Sequence, residues 1–193
     1  MRLFVAITPP PEALAEIEAL TAPLQAAWPG LRWTGSDAWH ITLAFLGEVS
    51  EDVLAELRAQ LEQAAGEHGC LELSLSGAGA FPDALRARVL WAGVAGDRVA
   101  LTALAQRVAE AARLAGAPPP DGHRTYRPHL TLARCREPAE IRRLVGELAT
   151  ISGQPWPAGQ IQLIRSDPGS QPRYTAAGAW PLRPPSVTAA SAR

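Results

Sequence analysis

Two short stretches of the 193-residue chain carry one pattern: HITLAFLGE from His40 and HLTLARCRE from His129. Each reads His-x-Thr-Leu-Ala, and together they use two of the chain's four histidines. Side chains alternate along a strand, so His40 and Thr42 share one face while Ile41 and Leu43 point to the other. The same alternation sets His129 and Thr131 against Leu130 and Leu132. A strand with an apolar side for a core and a His/Thr side for a cleft is a rigid platform for chemistry. An imidazole titrates near neutrality, so one of a pair can be neutral while the other is protonated. Such a pair takes a proton from an attacking oxygen and returns one to a leaving oxygen, which is what phosphodiester cleavage needs. Threonine hydroxyls beside them can donate to non-bridging phosphate oxygens. The scheme calls for no metal and no cofactor.

A zinc hydrolase is the sharper rival, because two histidines could be ligands. Such a site uses three or four protein ligands, and no Asp, Glu or Cys stands at ligand spacing near either motif. His68 and His123 lack the motif context and read as surface or loop residues. Cys70 and Cys135 form no C-x-x-C pair and read as reduced thiols, which suits a reducing cytoplasm.

Bulk properties narrow the class. The chain is 47% hydrophobic, enough for a real core, and its formal charge is −1 from 18 basic and 19 acidic residues. No global field draws it to nucleic acid, so any such contact must come from a local basic patch. The opening MRLFVAITPP is too short for a signal peptide, and no run approaches the ~20 apolar residues of a membrane span. A cytoplasmic monomer is expected, with no membrane association and no obligate protein partner.

The elements that must hold the motifs follow from periodicity. RLFVAI (Arg2 to Ile7) reads as a buried strand, and Pro11 opens a helix running to about Ala27. Strands are expected at Trp39 to Leu46, in CLELSLSGAG, in ARVLWAGV and over Arg127 to Arg134. Helices are expected after Ser50 as N-cap, after Asp97 as cap up to Gly116, and within EPAEIRRLVGELAT. GQIQLIRSDPGSQPRYTAAGAWPL reads as two strands around a Pro/Gly/Ser loop. The fold class is α+β: two similar lobes with antiparallel sheets flanked by helices, related by a pseudo-two-fold. Each lobe offers one His-x-Thr strand to a central cleft. Residues 1–182 form a single bilobal domain, and residues 183–193 have the composition of a mobile tail.

The paired motifs resemble the 2H phosphoesterase superfamily, and more closely its RNA 2′,3′-cyclic phosphodiesterase branch, the LigT-like or "2′-5′ RNA ligase" proteins. RLFVAI, WHITLAFLGEV, YRPHLTLAR and LIRSDPGSQPRYTAAGAWPL carry the likeness, over about Arg2 to Leu182. The resemblance implies metal-independent opening of a 2′,3′-cyclic phosphate on an RNA end or nucleotide, giving the 2′-phosphomonoester. It also implies a weak joining reaction that makes 2′-5′ linkages. It makes His40 the proton donor to the 3′ oxygen and His129 the acceptor from water, with Thr42 and Thr131 holding phosphate. The motifs alone, being so alike, do not divide donor from acceptor.

Further substrate contacts are expected around these strands. Arg134 stands where the family commonly has arginine, although strict alternation places it opposite His129. Phe45, its counterpart after His40, is core by alternation or a platform for a base. Arg124, Tyr126 and Arg127 form a basic-aromatic edge suited to RNA. Trp33 and Trp39 either stack a base or pack, and Arg173 and Tyr174 can rim the cleft. Two alternatives stay open: an RNA- or nucleotide-binding module without turnover, and a phosphodiesterase for another substrate such as linear 2′-5′ oligonucleotides.

Overall fold

The computed structural model describes residues 1–120, 125–167, 169 and 173–184. Strand β1 (Arg2–Ile7) comes from the apolar run at the start and is buried on both sides. Leu3, Val5 and Ile7 enter the main core, whereas Phe4 and Ala6 join Ile164 in a second, smaller cluster. Helix α1 (Pro11–Ala27) begins on Pro11, whose missing N–H and fixed φ suit the first turn. A short strand β2 (Leu31–Trp33) leads to the first motif strand, β3 (Ile41–Glu48).

Helix α2 (Leu54–Glu67) and the pair β4 (Leu71–Phe81) and β5 (Ala87–Gly96) follow, then helix α3 (Arg98–Leu114). The second motif strand is β6 (His129–Ala139), followed by α4 (Arg142–Leu148), β7 (Trp156–Ala158), β8 (Gln160–Ser166) and β9 (Tyr174–Pro181). No helix among the described residues is long and apolar enough to cross a membrane.

The order of elements explains why the motif recurs. Strand, helix, motif strand, helix occurs as β1-α1-β3-α2 and again as β5-α3-β6-α4. In each round the first strand pairs antiparallel with its motif strand. The α+β class with antiparallel pairing is as expected. The two halves, however, are one continuous sheet, in the order β7-β4-β5-β6-β3-β1-β8-β9 with β2 beside β6. β3 and β6 meet at a single position, Ile41 with Leu130, and then part. Beyond that point β2 takes over as the neighbour of β6, from Trp33 opposite Ala133 to Leu31 opposite Cys135.

Helical side chains cover the apolar face of this sheet. Leu57 and Leu61 of α2, Leu101, Leu104 and Val108 of α3 and Leu144 of α4 share one core with Ile41, Leu43, Leu130 and Leu132. Burying each such side chain is worth about 1.5–3 kcal/mol, which holds the motif backbones in place.

Several local expectations differ from the outcome. Asp97 does not cap α3 with its side chain; its Oδ2 accepts the Glu72 N–H at 2.8 Å, tying the helix start to β4 instead. Ser50 makes no capping bond to the helix, because a 3₁₀ turn at Glu51–Val53 precedes α2. β6 continues to Ala139, so the helix expected in EPAEIRRLVGELAT is confined to α4. β2 and β7 are three residues each, too short for a periodic signal. Residues 185–193 of the expected tail lie outside the described residues.

One close approach in the sheet bears on the second motif. Gly79 pairs with Trp91, and a Cβ on Gly79 would overlap the indole ring. Gly79→Ala is expected to cost about 1–3 kcal/mol through displacement of that ring, measured as a lower urea midpoint. An unchanged midpoint would show that the indole is not held against this backbone.

Candidate active site

Both motif strands break alternation at the same place. The β1–β3 register passes from Ala6 opposite Thr42 to Val5 opposite Ala44, leaving Leu43 as an extra residue. The β5–β6 register passes from Trp91 opposite Thr131 to Leu90 opposite Ala133, leaving Leu132 extra. One inserted residue is a β-bulge, and it inverts the facing of everything after it. Leu43 and Ala44 are therefore both buried, as are Leu132 and Ala133. The next residue returns to the His/Thr face. Phe45 is thus not core but 37% exposed, with the Arg2 guanidinium 5.1 Å from its ring centre. Arg134, exposed, comes round to the side of His129.

The two imidazoles are held alike. His40 Nδ1 lies 2.8 Å from the Ala38 carbonyl, and His129 Nδ1 lies 2.7 Å from the Arg127 carbonyl. A carbonyl oxygen only accepts, so Nδ1 carries the proton in each ring and the opposite nitrogen, Nε2, is left for chemistry. Aromatic rings back both. Phe4 stands 4.6 Å and Tyr174 5.4 Å from the His40 ring, centre to centre. Phe81 stands 4.9 Å and Trp91 6.3 Å from His129. Of these supports the sequence points to Tyr174, as a residue rimming the cleft; Phe4, Phe81 and Trp91 come from β1, β4 and β5, outside the motifs.

Burial dominates the electrostatics. Removal from water pushes His40 down from 6.5 to about 4, against the support of the Ala38 carbonyl and with smaller repulsion from His129 and Arg134. His129 is lowered as well, by burial first, with the Arg127 carbonyl opposing and Arg134 adding repulsion. Arg134 thus acts on both rings.

The antiparallel register about Ile41 and Leu130 carries His40 towards Thr131 and Thr42 towards His129. Both threonines are half-buried, and neither hydroxyl has a hydrogen-bond partner among the described residues. The site therefore gathers two imidazoles, two available hydroxyls and a guanidinium, a set suited to a phosphate with proton donors and acceptors on either side.

Other candidates are placed differently. Tyr126 packs against the main core with its hydroxyl buried, and burial pushes its phenol up, so it is no surface edge. Arg127 is exposed, and its backbone carbonyl holds the His129 ring. Trp39 is buried in the core, and Trp33 packs on it while its Nε1 donates to the Trp28 carbonyl at 3.2 Å. Tyr174 lies at the site, with the Arg173 guanidinium 5.5 Å from its ring centre. His123 and Arg124 lie outside the described residues. Cys70 and Cys135 are free thiols. Two cavities of about 340 and 280 Å³ lie away from the histidines, beside β6 at Cys135–Ala139 and between α1 and β7.

The profile of the 2′-5′ RNA ligase superfamily matches residues 9–170. The chain belongs to this family. A curated relative from Geobacillus stearothermophilus, an RNA 2′,3′-cyclic phosphodiesterase, is 29% identical over 184 residues, which is 93% of this chain and 56% of that protein. The chain thus spans little more than half of that relative's length. Among solved structures, TT0787 of Thermus thermophilus superposes with a TM-score of 0.79 at 28% identity, covering 95% of this chain and 99% of that one. E. coli LigT complexed with 3′-AMP superposes with a TM-score of 0.72 at 28% identity, covering 94% and 96%. The α+β fold around the paired motifs is therefore that of the family.

The burial of His40 has a consequence for stability. Between 6.5 and about 4 the unfolded chain binds the proton that the folded ring refuses. Stability is therefore expected to fall as pH drops through that window, by about 3 kcal/mol from this group when complete. Urea titrations across pH 7 to 4 should show the loss, and His40→Gln should flatten it. An identical slope in that variant would contradict the assignment.

Proposed function

We propose that the protein hydrolyses 2′,3′-cyclic phosphates on RNA ends or nucleotides to 2′-phosphomonoesters. The observation that carries this reading is the meeting of both motifs at Ile41 and Leu130, with Arg134 turned by the bulge onto the same side. The names of the relatives support the substrate class.

His129, neutral with its proton on Nδ1, offers Nε2 as base to water. The water oxygen attacks phosphorus as its proton passes to that nitrogen. The bond from phosphorus to the 3′ oxygen breaks, and His40 Nε2 delivers a proton to that oxygen. The product carries a 2′-phosphate and a 3′-hydroxyl, and solvent exchange resets both rings. Thr42, Thr131 and Arg134 hold the non-bridging oxygens. A bound phosphate anion opposes the burial that lowers His40, so substrate itself favours the protonated acid. With a 5′-hydroxyl in place of water, the same steps join the ends through a 2′-5′ linkage, a minor path where water abounds.

Phe45 offers an exposed ring for a base at the far end of the same face. The enzyme acts in the cytoplasm as a monomer, as one bilobal unit over residues 1–182; its two free thiols fit a reducing compartment.

His40→Ala and His129→Ala are each expected to lower kcat by about 10² to 10⁴ while circular dichroism stays native. Turnover should persist in excess chelator. The pH dependence of kcat, which reports the substrate complex, should be bell-shaped, falling at low pH as His129 is protonated and at high pH as His40, raised by the bound phosphate, loses its proton. Near wild-type turnover in both variants would overturn the mechanism.

A further inference from the structure

Where β3 leaves β6, β2 fills the sheet and brings one more cation to the cleft side. Arg32 pairs with Arg134 across β2 and β6. Directly paired residues on neighbouring strands face the same way, so Arg32 follows Arg134 onto the side of the motif histidines. Its neighbours confirm the facing: Leu31 and Trp33 pack into the core. The strand is clamped to the bulge itself, because the Thr34 N–H donates to the Leu132 carbonyl at 2.8 Å.

Arg32 and Arg134 are both exposed, and among the described residues neither forms an ion pair. Two adjacent guanidiniums repel each other and gain nothing for folding from that arrangement. Arg134 bears on both imidazoles, lowering each, and Arg32 stands beside it on the neighbouring strand. The two cations therefore stand side by side on the histidine face beyond the Ile41–Leu130 seam, a place for a phosphate besides the reacting one.

We propose that Arg32 binds the internucleotide phosphate immediately 5′ of the terminal nucleoside, so that the cleft selects RNA ends over cyclic mononucleotides. This rests on the phosphodiesterase reading above and adds a specificity residue to it. A mononucleotide without a 5′-phosphate has nothing to offer Arg32; a trinucleotide does.

The test compares 2′,3′-cyclic AMP with a trinucleotide ending in a 2′,3′-cyclic phosphate. Wild-type protein should prefer the trinucleotide in kcat/KM. Arg32→Ala should reduce that value about tenfold, mainly through KM, as expected for loss of one charge-assisted contact. Hydrolysis of 2′,3′-cyclic AMP should be unchanged, and Arg32→Lys should retain most of the preference. Equal effects on both substrates, or none on the trinucleotide, would overturn the proposal. Binding of a trinucleotide carrying a terminal 2′-phosphate separates this from the chemistry. If Arg32→Ala weakens that binding but not binding of 2′-AMP, the contact stands even were wild-type protein to show no turnover, and only the hydrolytic reading would fall.

Discussion

The site depends on one pair of residues, Ile41 and Leu130, where two otherwise separate halves of the sheet are joined. Both side chains are fully buried under the helices, so the backbone between them cannot slide without exposing apolar surface. Fixing that pair fixes the opposite face as well. Each histidine is then one residue from the seam on its own strand, with a threonine on the far side of it. The rest of the fold can be understood as support for this junction: strands β1 and β5 flank it, and the core beneath locks it.

The bulges are the second constraint. An extra leucine in each strand commits two consecutive residues to the core and sends the third back to the cleft. Because both halves carry the same insertion, the pseudo-symmetry survives as far as the sixth residue of each motif. There it ends, with Phe45 and its Arg2 neighbour on one side and Arg134 beside Arg32 on the other. One end of this face carries an aromatic ring with one guanidinium and the other carries two guanidiniums, so its two ends are unequal.

Much of this is legible in the sequence. The motif strands, the α+β class and the pairing of His40 with Thr42 and His129 with Thr131 follow from period-two patterning and repetition. The bulges do not. Strict alternation misplaces Phe45 and leaves Arg134 pointing the wrong way, because an unpaired residue is a property of the partner strand's register rather than of the motif itself. Three of the aromatic supports are equally silent, since Phe4, Phe81 and Trp91 reach the site from three strands outside the motifs, whereas Tyr174 is legible as a residue of the rim. Tyr126 fails for the converse reason: its place next to arginines resembles a nucleic-acid edge, yet its ring packs into the core.

The central claim is that the two histidines serve one phosphate. Imidazole ¹⁵N NMR of the wild-type protein, titrated with 2′-AMP at constant pH, tests it most directly. The Nε2 signals of His40 and His129 should shift together with a single shared Kd, while both Nδ1 signals keep their proton. Two different affinities, or a response from one ring alone, would contradict it.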